Sequence, residues 1–87
     1  MLFREKEVAG LEALLFVADK PLSKERLGEI LQLSEEDISE ILQELKARYA
    51  APNCGIALIE VNEGYKLGTK PEMSAYIEAL YNQPAQG

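Results

Sequence analysis

The stretch from Pro21 to Tyr49, PLSKERLGEILQLSEEDISEILQELKARY, constrains this chain most, because it carries the same helix-start signal twice in quick succession. Ser23 can accept the free N–H groups of a first helical turn, with Leu22 and Leu27 placed as a hydrophobic staple. Ser34 repeats the device with Leu33 and Ile38, while Glu35, Glu36 and Asp37 set negative charge at the positive end of the helix dipole. Only Gln32-Leu33 lies between the two helices. Apolar residues recur at Leu27, Ile30 and Leu31 on the first, and at Ile38, Ile41, Leu42, Leu45 and Tyr49 on the second, one buried stripe each. Two capped amphipathic helices with almost no linker make a helix-turn-helix unit.

Upstream, the pattern predicts a helix over about 4–18, opened by Arg4-Glu5-Lys6-Glu7 and closed by Asp19-Lys20-Pro21, where Pro21 lacks an N–H and pushes Lys20 out of the helical region. Val8, Leu11, Leu14, Leu15 and Ala18 form its core stripe. Glu12 is the sole charged residue from Val8 to Ala18. If the helix reaches back to Leu2, then Leu2, Ala9, Ala13 and Phe16 share the opposite face, and a helix apolar on nearly all sides is covered on both. Two readings stand: a self-association or partner surface, in which small Ala9 and Ala13 allow close backbone approach, or no such surface, because Phe16 tucks under the later hairpin or Leu2 lies in a frayed end.

Downstream, Pro52 and Asn53-Cys54-Gly55 end the helix-turn-helix, and IALIEVNEGYKLGT predicts a hairpin over about 56–69. A three-residue loop Asn62-Glu63-Gly64, with Gly64 left-handed, would set Val61 against Tyr65, Ile59 against Leu67 and Ala57 against Thr69, with Glu60 and Lys66 an exposed pair on the other side. Thr69 and Glu72 have capping-box spacing around Pro71, which predicts a last helix over about 70–81. Its stripe of Met73, Tyr76, Ile77, Leu80 and Tyr81 is expected to join the core. Residues 82–87 read as a linker or chain end.

At 87 residues the chain makes one small domain, spanning 1–81. It has no His, so His-based acid–base chemistry, Ser-His triads and His-ligated metals are excluded; no cofactor or metal is expected. Cys54 has no partner for an internal disulfide and no cationic cluster to activate it, so it reads as an incidental loop thiol. The acidic pairs lie at helix starts, where capping explains them, and no phosphate-binding Gly loop appears, so an enzyme is not expected. No stretch is long and apolar enough to span a membrane, which predicts a cytoplasmic protein.

Three helices, a two-stranded hairpin and a closing helix describe a mainly α, α+β winged helix-turn-helix domain. In a DNA-reading member, the exposed side of the second motif helix enters the major groove. Here that side would carry Glu36, Asp37, Ser39, Glu40, Gln43 and Glu44. With a net charge of −6, the surface meant for phosphates would repel them.

The segment EALLFVADKPLSKERLGEILQLSEEDISEILQEL, followed by GIALIEVNEGYKLGTKPEMSAYIEAL, resembles the N-terminal domain of the segregation and condensation protein B (ScpB) family. The shared pieces are an E-A-(apolar)-L-F run, a Pro-Leu loop, a Leu-Ser capped helix, a Gly-Tyr-(basic)-Leu hairpin and a Thr-(basic)-Pro-Glu helix start, covering roughly residues 12 to 80. The resemblance implies a non-enzymatic subunit of a condensin-like complex of SMC, ScpA and ScpB in chromosome condensation and segregation. It further implies a homodimer formed largely through this domain, and a second winged-helix domain, missing here, that grips the kleisin ScpA and through it the SMC ATPase heads. Nucleoid association would then come through the complex, without direct DNA binding. The alternative from another class is a winged-helix transcriptional regulator, with Lys66 and Lys70 as its wing contacts to phosphate.

Overall fold

A computed structural model describes residues 4–82 as α1 (Glu5–Val17), α2 (Lys24–Leu31), α3 (Glu35–Tyr49), an antiparallel hairpin of β1 (Ile56–Val61) and β2 (Gly64–Thr69), a 3₁₀ turn (Pro71–Met73) and α4 (Ser74–Tyr81). Both serine caps form. Ser23 Oγ accepts from Arg26 N at 3.0 Å and Ser34 Oγ from Asp37 N at 3.1 Å. The turn between α2 and α3 puts Gln32 in the left-handed region (φ 60°), and Leu33 N donates to Gly28 O at 3.0 Å, which closes the end of α2.

The core is one cluster from three helices: Val8, Leu11 and Leu15 of α1, Leu27 of α2, and Ile38, Ile41, Leu42, Leu45 and Tyr49 of α3. Leu14, Leu22, Leu31, Leu33, Leu58, Tyr65 and Leu67 pack around it half-buried. Ile30, expected in the stripe of α2, is instead 42% exposed. A helix of 8 residues has room for a narrow seam only, and Leu33 in the following turn covers the core where Ile30 would have.

The hairpin register differs from the expected one. Its loop is two residues, Asn62-Glu63, with Val61 opposite Gly64, Glu60 opposite Tyr65, Ile59 opposite Lys66, Leu58 opposite Leu67 and Ala57 opposite Gly68. There is therefore no Glu60–Lys66 cross-strand pair. Strand side chains alternate, so the slip turns β1 over: Leu58 faces the core beside Leu67 and Tyr65, while Ala57, Ile59 and Val61 lie on the other face. The cause is Leu22. Leu22 N donates to Tyr65 O at 2.9 Å and Tyr65 N to Leu22 O at 2.8 Å, so a single residue before α2 acts as a third strand beside β2. A Cβ on Gly64, whose φ is +145°, would lie 2.3 Å from Leu22 O. Gly64 is thus required twice, by this close approach and by a positive φ that residues with a Cβ rarely adopt, although it stands in the first position of β2 and not in the loop.

The last helix also departs from expectation. No side chain caps it; the 3₁₀ turn begins at Pro71, and α4 starts only at Ser74. None of its residues is buried, and Tyr76, Leu80 and Tyr81 are 74%, 65% and 79% exposed. The stripe expected to join the core does not, because α1 and the hairpin already close the α2–α3 unit and leave α4 outside.

Candidate interaction surfaces

Three surfaces follow from this packing. The first is the back of α1. Its core stripe faces α2 and α3, so Ala9, Ala13, Phe16 and Val17 are turned outward, with Phe16 78% exposed. Phe16 does not tuck under the hairpin; it borders a shallow groove shared with Leu15, Ile56 and Leu67 and edged by Lys20 and Lys66. Leu2, expected on the same face, lies outside the described residues. The second surface is the apolar side of α4, whose aromatic residues the period detected while their exposure stayed invisible to it.

The third is α3, the helix that a DNA-reading relative would insert into the groove. Glu36, Glu40 and Glu44 are exposed along it. Asp37 is not part of that free face. It is half-buried and bonded to Arg4 Nη2, whose Nη1 also reaches Asp37 O at 3.4 Å and whose guanidinium lies 3.8 Å from Glu40. The hydrogen bond from Arg4 holds the Asp37 carboxyl below its ordinary value, and desolvation opposes it. Glu44 pairs with Arg48 at 3.7 Å. Lys70, the other candidate wing cation, donates to Ala51 O at 3.1 Å and so anchors the loop before β1.

Glu12 has a structural role that its isolation on α1 did not disclose. It accepts the hydroxyl of Tyr49 from α3, which ties α1 to the far end of the helix-turn-helix. Burial, followed by the Glu12 carboxylate, pushes the Tyr49 phenol up to about 12.

Beneath the wing, α3 and the hairpin enclose a groove of about 490 Å³ floored by Leu42, Leu58 and Tyr65. Lys24, Lys46 and Glu60 stand around it. Neither lysine has an ion-pair partner among the described residues. No sequence pattern singles out either lysine: Lys24 lies in the first turn of α2 and Lys46 in the last turn of α3, and only the fold brings them to one groove. Among the described residues no group of three or more Cys, Asp or Glu could hold a metal, and no helix is long and apolar enough to cross a membrane.

A family model for "Segregation and condensation complex subunit ScpB" matches residues 9–87. The segregation and condensation protein B of Desulforamulus reducens is 37% identical over 87 residues, all of this chain and 48% of the relative. The chain thus spans about half the length of that curated relative. Among solved structures, a dimer of the ScpB N-terminal domain complexed with a ScpA peptide superimposes with a TM-score of 0.84 at 30% identity, over 100% of this chain and 97% of that one. ScpB from Mycobacterium tuberculosis gives 0.85 at 26% identity, over 93% of this chain and 51% of that one.

Proposed function

Because the chain belongs to the ScpB family of segregation and condensation complex subunits, we propose that it is a non-enzymatic, dimerising scaffold module of an SMC–ScpA–ScpB complex in the cytoplasm. The observation that carries the reading is the apolar surface left outward on α1 and α4, led by Phe16, Tyr76, Leu80 and Tyr81. Fully burying each such side chain contributes roughly 1.5–3 kcal/mol. Phe16 alone is too little for a specific interface, which needs about 800 Å² per partner, so the contact draws on more than the α1 face. The ScpB N-terminal domain that this chain resembles is a dimer in its crystal structure, which supports the same arrangement here.

Dimerisation would set two ScpA contacts side by side and raise the effective concentration of the second once the first is made. That relative's N-terminal domain is itself complexed with a ScpA peptide, so contact with the kleisin need not be left to a second domain. The SMC heads would be reached through ScpA, and nucleoid association would follow from the complex. Direct DNA binding has no place in this reading. Exposed Glu36, Glu40 and Glu44 would meet the phosphates, and of the two proposed wing cations Lys70 is engaged with Ala51 O.

The test is sedimentation equilibrium across a concentration series. A wild-type dimer that becomes a folded monomer with Phe16→Glu is the expected result; a wild-type chain that is monomeric at every concentration overturns the dimer.

A further inference from the structure

We infer that the outer edge of β1 is a strand-addition site, at which an extended, acidic segment of ScpA pairs with the backbone of Leu58 and Glu60 and fills the groove beside α3. The inference rests on the reading of this domain as a ScpA-holding module, and it supplies the location and chemistry of that contact.

The backbone pattern fixes which groups are free. Tyr65 spends its N–H and C=O on Leu22, on the side of β2 away from β1. Opposite residues in an antiparallel pair alternate between exchanging hydrogen bonds and exchanging none, so Glu60, opposite Tyr65, points both of its backbone groups away from β2. Lys70 N donates to Gly55 O at 2.9 Å, and this bond sets the same alternation from the other end of the hairpin. Ile56, Leu58 and Glu60 therefore direct N–H and C=O outward, while Ala57, Ile59 and Val61 hold the ladder. No protein group among the described residues takes the outward set. An edge of this kind is a template for an added strand.

The surroundings select what is added. Leu58 and Glu60 line the groove whose floor is Leu42, Leu58 and Tyr65. An added strand presents alternate side chains to one face, so an apolar residue would rest on that floor. Lys24 and Lys46 stand over the same groove, have no ion-pair partner among the described residues, and outnumber Glu60. In a chain of net charge −6, this is a local positive site, and it fits a segment carrying carboxylates.

The experiment measures binding of the same organism's ScpA by titration calorimetry, with amide hydrogen exchange on the bound and free chain. Glu60→Pro removes one outward N–H and no ladder bond, so the fold should persist, which urea denaturation checks. The double reversal Lys24→Glu with Lys46→Glu probes the charge without touching the backbone. Affinity falls at least about tenfold in each, the Leu58 and Glu60 amides become protected on binding, and the sedimentation mass of the unliganded chain is unchanged. Wild-type affinity in both variants, or no added protection at Leu58 and Glu60, overturns the edge site while leaving ScpA binding in place. A wild-type chain that does not bind ScpA removes the kleisin reading and this site together.

Discussion

Helices α3 and α4 carry the same kind of apolar stripe and end in opposite circumstances. In α3 the residues at Ile38, Ile41, Leu42, Leu45 and Tyr49 are all buried, and every one lies in the core. In α4 the stripe of Tyr76, Leu80 and Tyr81 is largely open to solvent. A 3.6-residue period states that a face requires cover. It does not state whether the cover comes from the same chain. The helix-turn-helix body uses α1 and α2 to close α3, and among the described elements none of that size is left to cover α4.

The sharpest way to break this contrast is to cut the same side chain from each stripe. Leu45→Ala should cost about 2–5 kcal/mol in urea denaturation, since it leaves a cavity among buried neighbours. Leu80→Ala should cost within about 0.5 kcal/mol when the denaturation is run at monomer concentrations, with its effect appearing in sedimentation instead. Equal losses in the two variants would place α4 in the core after all.

A smaller effect tests how firmly the far end of α3 is held. The unfolded chain releases the Tyr49 phenol proton near pH 10.0, whereas the folded chain holds it until about pH 12. Between these values the unfolded state binds fewer protons, so stability is intact below pH 10 and falls as pH rises through 12, by on the order of 1–2 kcal/mol. Tyr49→Phe should flatten that decline in denaturation curves taken at pH 9 and pH 11; an unchanged slope would mean that other groups carry it. The smallest expected change is a gain. Gln32→Gly relieves a left-handed position at the end of α2 and should raise stability by about 0.5–1 kcal/mol, a shift in urea midpoint that is absent if Gln32 makes compensating contacts.

Where the signal was local, it was legible. Ser23 and Ser34 cap because their hydroxyls reach N–H groups three residues on, and no distant residue is consulted. That Ala9, Ala13 and Phe16 share the face opposite Val8, Leu11 and Leu15 followed from spacing on α1; that this face stays open instead of lying under the hairpin did not. The hairpin existed where expected, yet its face did not, since either register buries an apolar set: Ala57, Ile59 and Val61 in one, Leu58 in the other. Asp37 looked like one more carboxylate on an exposed face, because its partner Arg4 lies 33 residues earlier.

The sequence by itself therefore determined the starts of α2 and α3, the helix-turn-helix, the presence of a wing and the acidic character of α3, all properties set within a few residues along the chain. Only the tertiary structure decided that Leu22 lies against Tyr65, which register the hairpin takes, that the outer edge of β1 is free, and that two lysines without an ion-pair partner among the described residues stand beside it. It also decided that no residue of α4 is buried among the described residues. These depend on which distant backbone and side-chain groups satisfy one another, and a one-residue slip of a strand leaves the local pattern almost unchanged while exchanging every side chain between core and solvent.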